Sequence, residues 1–393
     1  MVSTGLHMTE LTTKWKELHP EVEISVFTAE NSRVNKKESF KSLEIYENVK
    51  IHRVKNIGKH HGTIFNRLLF SIGFILKSFF FLLINRKKYD KLIITTNPPF
   101  LGILILILRF FVKIPYVVIA YDIYPQILDK MGILNNSSLV YRFWKWLNVK
   151  VYNNASAIIS IGEDMTDIIQ KEMCVKDLSK IKLIYNWSDK KKVFPIEKTN
   201  NQFIIDNGFI GKKILLYSGT MGSTHNIEDI LSAANDLKDD RDILFLFIGS
   251  GAKTNLVKKY ISDSGNSNVV LLPFQPIEII SQTLSSASLS FVCLDSVFTG
   301  LSVPSKSYGI LAAKVPIIAI MDSNAEISRM IEKFECGIVW NKGNNVKLSS
   351  IILNLLSDEN KLSVIKENAY EAFINNFDIE ISVEKYNNVL KSL

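Results

Sequence analysis

Short β-branched segments alternate with longer helical segments along the whole chain, and this alternation is the feature that most restricts the fold. We predict strands at 21–29, 49–54, 91–96, 115–122, 156–162 and 180–186, and again at 213–219, 243–251, 268–274, 289–294, 315–320 and 336–340. Such alternation is typical of parallel sheets built from βαβ units. A polar segment that contains Pro195 and has no periodicity separates the two halves. The sequence therefore predicts an α/β protein with two facing, doubly wound, Rossmann-like domains.

The chain has 393 residues, which is long enough for two domains. We predict an N-terminal domain, a linker, a C-terminal domain and a closing helix that packs back on the N-terminal domain, at residues 1–188, 189–202, 203–375 and 376–393. Ligands of parallel sheets bind beyond the carboxyl ends of the strands, so two facing domains are expected to share a cleft. The chain opens with a small-residue loop and a helix. We therefore expect the first strand of the N-terminal domain to be missing, in which case the strand is supplied otherwise, the chain is N-terminally truncated or its start is assigned to the wrong Met.

Positive charge is concentrated in the first half of the chain. Residues 1–190 hold 27 Lys and Arg against 17 Asp and Glu, whereas residues 191–393 hold 20 against 22. A basic half faces nucleic acid, an anionic membrane or simply solvent. No nucleic-acid recognition motif accompanies the charge, so we expect no nucleic-acid partner.

Apolar segments in the same half favour a membrane surface over the other two partners. Residues 63–88 and 100–118 are rich in Phe, Leu and Ile, but basic residues interrupt both, namely Arg67, Lys77, Arg109 and Lys113. Neither segment has the uninterrupted apolar length of a membrane-spanning helix. Trp144 and Trp146 stand among basic residues, a mixture that favours the headgroup level of a bilayer. We predict a cytoplasmic protein that binds peripherally to the inner face of the cytoplasmic membrane.

The chain contains no pattern of a metal or redox site. Its three cysteines, Cys174, Cys293 and Cys336, are widely spaced and form neither a disulfide framework nor a zinc motif. A Ser/His/Asp constellation and a Walker A loop are also absent from the sequence. We expect no metal ion and no cofactor.

Two glycine-containing turns follow predicted strands of the second half. In residues 215–231 a strand leads through Gly219, Thr220, Met221 and Gly222 to a helix. His225 lies in the first turn after this loop, as a ligand contact or as a capping residue. Backbone N–H groups from Gly219 to Ser223 are predicted to point at an anion, for which a diphosphate is the natural ligand, and a plain tight turn is the alternative. The second turn contains Gly249, which is predicted to bind at the same carboxyl edge, with a purely structural turn as the alternative.

A lysine at the start of a helix is the strongest single candidate. In "VPSKSYGILAA" Ser305 is a predicted N-cap, and Lys306 falls in the first turn, where its ammonium opposes the helix dipole unless an anion lies nearby. We predict that Lys306 contacts a phosphate group, with a solvated surface lysine as the alternative.

Carboxylates and an N-terminal segment complete the candidates. Asp122 ends a buried strand and is predicted to orient a hydroxyl, act as a base or cap a helix, and Glu326 is predicted at a helix entry, within reach of a ribose. The N-terminal segment is expected on the acceptor side of the cleft, through Ser3, Thr4, Gly5 and His7.

The ordered series of motifs resembles the retaining nucleotide-sugar glycosyltransferases of family 4, which have the GT-B fold. The motifs are "STGLHMTEL", "YDIYPQIL", "SAIISIGEDM", "KIKLIYNWSD", "YSGTMGSTHNIEDIL", "FIGSG" and "GLSVPSKSYGILAAKVPIIAI". The last looks most like the bacterial O-antigen and capsule branch that includes L-fucosamine transferases. The resemblance implies a hexosyltransferase-type enzyme that moves a sugar from a UDP-sugar to a lipid-linked glycan. It also implies that Tyr308 joins the donor site and that Asp122 and Lys306 serve catalysis.

The chain departs from the pattern of that family at four positions. Leu301 and Gly309 stand where the family has two glutamates, and Thr220 and His225 stand where it has an arginine and a lysine. Two alternatives therefore stay open: a non-catalytic partner subunit with the same fold, and a sugar-nucleotide epimerase.

Overall fold

The protein is described from a computed structural model that covers residues 3–30, 40–55 and 64–393. The chain forms two compact units, of which unit 1 comprises Met1–Tyr185 and Ser382–Leu393, and unit 2 comprises Asn186–Ile381. Met1 and Val2, the start of the predicted N-terminal loop, lie outside the described residues.

Unit 1 contains seven strands and most of its helices lie between them, within the described residues. The strands are β1 (Ser25–Ala29), β2 (Leu43–Tyr46), β3 (Val49–Val54), β4 (Leu92–Thr95), β5 (Tyr116–Ala120), β6 (Ala157–Ser160) and β7 (Ile181–Leu183). The helices are α1 (Ser3–Leu18), α2 (Ile64–Ile84), α3 (Leu101–Leu108), α4 (Gln126–Lys130), α5 (Leu139–Asn154) and α6 (Glu163–Glu172). No helix in the described parts of the chain has both the length and the apolar character needed to cross a membrane.

The strands of unit 1 form two sheets. One has the order β1-β3-β2, and the other, in which neighbouring strands run parallel, has the order β4-β5-β6-β7. All six strands predicted for this half are present, and β2 is an additional short strand that pairs antiparallel with β3. A strand in front of α1, with which a doubly wound domain normally opens, has no counterpart among the described residues. Within those residues β1 is the edge strand of one sheet and β4 is the edge strand of the other.

The predicted loop at the start of the chain is wrong, because Ser3, Thr4 and Gly5 already belong to α1. Threonine hydroxyls of this helix donate hydrogen bonds to carbonyl groups one turn back, as Thr9 does to Gly5 at 2.8 Å. Leu11 and Trp15 are buried, so one face of α1 packs into unit 1. This burial supports a helix in a segment whose small residues alone indicate a loop.

Unit 2 contains six strands with helices between them. The strands are β8 (Lys213–Ser218), β9 (Ile243–Ile248), β10 (Val269–Leu272), β11 (Leu289–Cys293), β12 (Ile317–Ile320) and β13 (Gly337–Trp340). The helices are α7 (Gln202–Asp206), α8 (Ile227–Asp236), α9 (Thr254–Ser264), α10 (Ile280–Ser285), α11 (Lys306–Ala312), α12 (Glu326–Phe334), α13 (Leu348–Ser357) and α14 (Glu359–Ala372), and α15 (Ile379–Lys391) closes the chain.

All six strands of unit 2 run parallel in the order β10-β9-β8-β11-β12-β13. This is the order of a Rossmann-type sheet, and every strand predicted for the second half is present. Residues of β9 and β11 are buried on both faces, with Phe245 stacked on Phe291. Strands that are buried on both sides explain the continuous apolar runs of the sequence.

The segment predicted as a linker lies against α10 and the start of β11 in unit 2. The backbone N–H groups of Phe194 and Ile196 donate to the hydroxyls of Ser281 and Ser285, and Lys198 Nζ donates to Ser288 Oγ at 2.6 Å. Hydrogen bonds to serine hydroxyls therefore hold this segment against unit 2. The periodicity of apolar residues in the sequence does not predict such contacts.

Candidate functional site

The strand order of unit 2 creates one position at the edge of the sheet where a ligand can bind. The chain runs from β8 outward to β9 and β10, and then returns to place β11 on the other side of β8. The connections after β8 and β11 therefore leave in opposite directions, which opens a crevice at the carboxyl ends of these two strands. Gly219 directly follows β8, and the loop after β11 leads to Lys306 at the start of α11.

The two glycine turns at this edge pack directly on one another. Gly249 has φ 132°, and a Cβ atom at that position would lie 2.1 Å from the carbonyl oxygen of Gly219. A Cβ atom at Gly251 would lie 2.4 Å from the carbonyl oxygen of Met221. Glycine is required at both positions, because the backbones of the two turns approach too closely for any side chain.

Backbone hydrogen bonds between the turns correct the prediction that the first turn offers a row of free N–H groups. Gly219 donates to Ile248 at 2.9 Å and Met221 donates to Ser250 at 3.0 Å. The N–H group of Gly222 donates to His225 Nδ1 at 3.3 Å. Within the described residues only the N–H groups of Thr220 and Ser223 in this turn donate no hydrogen bond. The turn therefore offers fewer donors to an anion than its sequence indicates.

Lys306 supplies a positive charge at the same place. Its Nζ atom is buried and lies 3.9 Å from the centre of the Tyr217 ring, at cation–π distance. The same atom lies 3.8 Å from the position that a Cβ atom would take at Gly219. Burial lowers the pKa of Lys306 to about 8, and among the described residues Nζ has no hydrogen-bond partner.

The predicted N-cap role of Ser305 is wrong. Ser305 precedes α11, but it has helical backbone angles and its side chain caps no N–H group. Ser307 instead donates its hydroxyl hydrogen bond to the carbonyl oxygen of Pro304 at 2.9 Å. The first turn of α11 is therefore held by the proline-containing loop, and Lys306 is its first residue.

Tyr217 connects the first glycine turn, Lys306 and His225, and no sequence pattern predicts this role. Its hydroxyl donates to the carbonyl oxygen of Thr220 at 2.8 Å and lies 2.7 Å from His225 Nδ1. Burial, with Lys306 nearby, lowers the pKa of His225 to about 4, so the imidazole is neutral at pH 7. The N–H group of Asp295, in the loop after β11, donates to the carbonyl oxygen of Thr224 at 2.8 Å and joins that loop to the first turn.

Four other residues of unit 2 have positions that bear on the predicted donor site. Tyr308 is fully buried in α11 and its ring packs on Phe377 at 5.1 Å. Glu326 is the first residue of α12 and is buried. Leu301 is buried, and a Cβ atom at Gly309 would contact the side chain of Leu284 at 3.4 Å. No group of three or more His, Cys, Asp or Glu residues that could hold a metal ion occurs among the described residues.

In unit 1, the predicted acceptor-side residues lie on the first turns of α1. Thr4 Oγ1 accepts a hydrogen bond from Asn97 Nδ2 at 3.3 Å, in the connection that follows β4. His7 is buried and stacks on Tyr121, with 6.2 Å between the ring centres. Burial lowers the pKa of His7 to about 4, so this ring is neutral at pH 7.

Asp122 lies two residues beyond β5, next to Tyr121. Its N–H group donates to Thr96 Oγ1 at 3.1 Å, which joins the connections after β4 and β5. Burial raises the pKa of Asp122 to about 6. A carboxyl group with a pKa of about 6 is mostly ionised at pH 7 and is able to accept a proton. The structure therefore brings His7 and Tyr121 together in unit 1, places Asp122 near Tyr124 and Tyr152, and brings Lys306, Tyr217 and the glycine turns together in unit 2.

Two α/β units with largely parallel sheets are typical of the GT-B fold, and solved structures with this fold resemble the chain. HepE of Anabaena in complex with UDP has a TM-score of 0.69 at 13% identity, covering 94% of this chain and 100% of HepE. WaaG, a glycosyltransferase involved in lipopolysaccharide biosynthesis, has a TM-score of 0.69 at 12% identity, covering 98% of this chain and 94% of WaaG. Identities this low establish the fold alone.

Sequence similarity identifies the family among the proteins with this fold. Residues 200–372 match the family described as glycosyl transferases group 1. The chain is 30% identical over 328 residues to glycosyltransferase WbjE of Pseudomonas aeruginosa, covering 83% of this chain and 78% of WbjE. The chain therefore belongs to the group 1 glycosyltransferases.

Proposed function

We propose that the chain is a retaining glycosyltransferase that moves a hexosyl group from a UDP-sugar to a lipid-linked glycan during synthesis of a bacterial surface polysaccharide. In this proposal unit 2 binds the diphosphate of the donor, and unit 1 holds the acceptor at the inner face of the cytoplasmic membrane. The sugar is an N-acetylated deoxyhexosamine such as L-FucNAc, and the product belongs to O-antigen or capsule.

The observation that carries the donor part is the buried ammonium of Lys306. A cation without a partner inside a protein is unfavourable, and it is retained where a ligand supplies the opposite charge. Lys306 lies beside two glycine turns at the switch point of a parallel sheet, where nucleotide phosphates bind in proteins of this architecture. UDP in the HepE complex makes a uridine diphosphate the natural anion to test.

The proposed chemistry follows from these charges. As the bond between the sugar and the diphosphate breaks, negative charge grows on the leaving oxygen. Lys306 and the N–H groups of Thr220 and Ser223 stabilise that charge, and this electrostatic contribution is the main one. The acceptor oxygen forms the new bond to the same sugar carbon from the face that the diphosphate leaves, so the configuration is retained. Asp122, with a pKa of about 6, orients the acceptor hydroxyl and receives its proton.

A binding measurement on matched lysine variants tests the donor site. Lys306→Met is expected to weaken UDP binding by about tenfold or more, since it removes the charge that faces the phosphates. Lys198→Met is the control, because Lys198 belongs to the same unit and burial likewise lowers its pKa to about 8. Lys198 contacts Ser288 at the opposite, amino-terminal end of β11. Equal UDP affinity of the two variants, measured by titration calorimetry, would contradict the proposal.

Turnover separates this proposal from a non-catalytic partner subunit, which Leu301 and Gly309 favour because they replace acidic residues. Membranes that supply acceptor lipid, incubated with the protein and candidate UDP-sugars, are expected to gain one sugar per acceptor by mass spectrometry. Lys306→Ala is expected to lower this turnover about 100-fold. Binding of UDP without any transfer would support the partner subunit, and conversion of donor without acceptor would support an epimerase.

A further inference from the structure

Three helices of unit 1 expose large apolar side chains to solvent. Ile72, Leu76, Phe80 and Ile84 are all exposed and follow one another at intervals of four residues, so they form one stripe along α2. Ile84 is 79% exposed, Phe110 just after α3 is 87% exposed, and Leu139 at the start of α5 is 82% exposed. Single exposed apolar residues are ordinary, but a row of this kind is not.

The exposed residues belong to one layer of helices. α3 packs against both α2 and α5. Phe111, just after α3, packs edge to face on Phe79 of α2, with 6.2 Å between the ring centres. This contact connects the exposed stripe of α2 with the exposed residues that follow α3. On α5 the exposed apolar residues again share one side of the helix, at Leu139, Val140, Phe143 and Trp146. We call the exposed sides of α2 and α5, together with Phe110 and Phe111, the apolar helix surface.

Basic residues greatly outnumber acidic residues in the segments that form this surface, although Glu172 pairs with Lys145 of α5. Residues 64–113 contain eight Lys and Arg but a single acidic residue, Asp90, and α5 contains no acidic residue. Arg86, Lys87 and Lys88 are exposed where the α2 stripe ends, and Arg109 and Lys113 are exposed beside Phe110. Lys150 Nζ lies 3.7 Å from the centre of the Trp146 ring. Apolar side chains, tryptophan and lysine together match the interface of an anionic bilayer.

We propose that the apolar helix surface docks in the plane of a membrane that contains anionic phospholipids. The side chains of Leu76, Phe80 and Phe110 enter the boundary between headgroups and acyl chains, and the neighbouring Lys and Arg side chains contact the phosphates. The positive charge around the surface favours an anionic lipid partner over a protein partner. The core of an apolar protein interface is depleted in charged residues, and such an interface does not require surrounding charges of a single sign. The link between membrane docking and a lipid-linked acceptor rests on the proposed function. The docking itself is measured without any sugar.

Vesicle flotation with the full chain tests the docking surface. Two vesicle types are compared, phosphatidylcholine alone and phosphatidylcholine mixed with phosphatidylglycerol. The apolar variant combines Leu76→Ser, Phe80→Ser and Phe110→Ser, and its control combines Ile210→Ser, Val346→Ser and Val364→Ser, which are exposed apolar residues of unit 2. The basic variant combines Arg86→Gln, Lys87→Gln and Lys88→Gln, and its control changes Lys258, Lys259 and Lys361 to Gln.

The native chain is expected to bind the vesicles with phosphatidylglycerol and to be released as salt concentration rises. The apolar and the basic variants are each expected to lose about tenfold or more in the partition coefficient, whereas both controls keep native binding. Circular dichroism and UDP titration check that each variant is folded. The inference is overturned if the two surface variants bind vesicles like the native chain, or if the native chain binds no vesicles. It is also overturned if the native chain is a dimer that dissociates only in the apolar variant.

The outcome is independent of the donor site. Lys306→Met is expected to float with vesicles like the native chain. If UDP does not bind but vesicles do, the proposed function fails and the docking surface stands. If UDP binds and vesicles do not, the docking surface fails alone.

Discussion

At the residue scale, the burial of Lys306, the residue proposed to bind the donor, affects the stability of the free protein. Burial lowers the pKa of Lys306 to about 8 in the folded chain, whereas an unfolded lysine keeps its ordinary value of 10.5. Protonated lysine is therefore less favourable in the folded state, and the cost is complete below about pH 8 and vanishes as the pH rises towards 10.5. We expect Lys306→Met to raise the free energy of unfolding of unit 2 by about 1 to 3 kcal/mol at pH 7.

Urea unfolding at pH 7 and at pH 10 measures this difference. The gain from Lys306→Met should shrink at the higher pH, and excess UDP should remove it at pH 7 because UDP binds only the native protein. A variant that is less stable than the native chain at pH 7 would show that Lys306 has a structural partner.

Asp122 gives a second test, with the opposite charge. Burial raises its pKa to about 6 from the ordinary 3.8, so the folded state disfavours the carboxylate. The cost develops as the pH rises from about 4 to about 6 and is constant above that range. We expect Asp122→Asn to stabilise unit 1 by about 1 to 2 kcal/mol at pH 8 and to leave stability unchanged near pH 4. The same stability change at both pH values, in thermal unfolding, would contradict a buried carboxylate.

The residues of the site differ in how far the sequence reveals them. Lys306 and Gly219 follow strands at positions where phosphate-binding residues occur, and the structure places them together. The role of Tyr217 was not predictable, because it depends on where the side chain of Lys306 lies in three dimensions. The loss of three N–H donors was not predictable either, since it results from the packing of one turn on another.

At the scale of elements, the contact between the two glycine turns predicts that substitution of glycine by alanine destabilises the protein more at Gly249 than at a glycine outside the contact. Gly249→Ala would place a Cβ atom 2.1 Å from the carbonyl oxygen of Gly219, so one of the turns must move. We expect a loss of about 3 kcal/mol or more in the free energy of unfolding, together with weaker UDP binding. Gly208→Ala is the control, since φ is 69° there but no atom lies within 4 Å of the new Cβ. Its expected cost is about 1 kcal/mol, with UDP affinity unchanged.

The strands of unit 2 were predictable because a parallel strand buried on both faces leaves an uninterrupted apolar run. β2 was missed for the converse reason, as this strand is largely exposed and only four residues long. The helical start of α1 was missed because its small residues fit a loop equally well, and burial of Leu11 and Trp15 decides between the two. Local pattern therefore identifies the elements with a buried face and fails where tertiary packing selects the conformation.

At the scale of the whole molecule, the end of the chain returns to unit 1. Residues 382–393 belong to unit 1, although residues 186–381 of the chain form unit 2. Trp15 of α1 packs on Tyr386 of α15 at 6.3 Å and its Nε1 atom donates to Asn387 Oδ1 at 3.4 Å. His19 lies 2.9 Å from Glu384, and Tyr386 is buried. Unit 1 thus includes a segment that follows unit 2 in the sequence.

Truncation after Ile381 tests how far unit 1 depends on this segment. The shortened chain lacks the buried Val383 and Tyr386 and uncovers Trp15, and each large apolar side chain whose burial is lost costs about 2 kcal/mol or more. We expect unit 1 to exchange its amide hydrogens faster throughout β4 to β6, whereas unit 2 keeps its protection and its affinity for UDP. Trp15→Ala is the milder comparison, since it removes only one side of the contact. If hydrogen exchange in unit 1 were unchanged by the truncation, the C-terminal helix would be a passive tail, and the stability of unit 1 would rest on its two sheets alone.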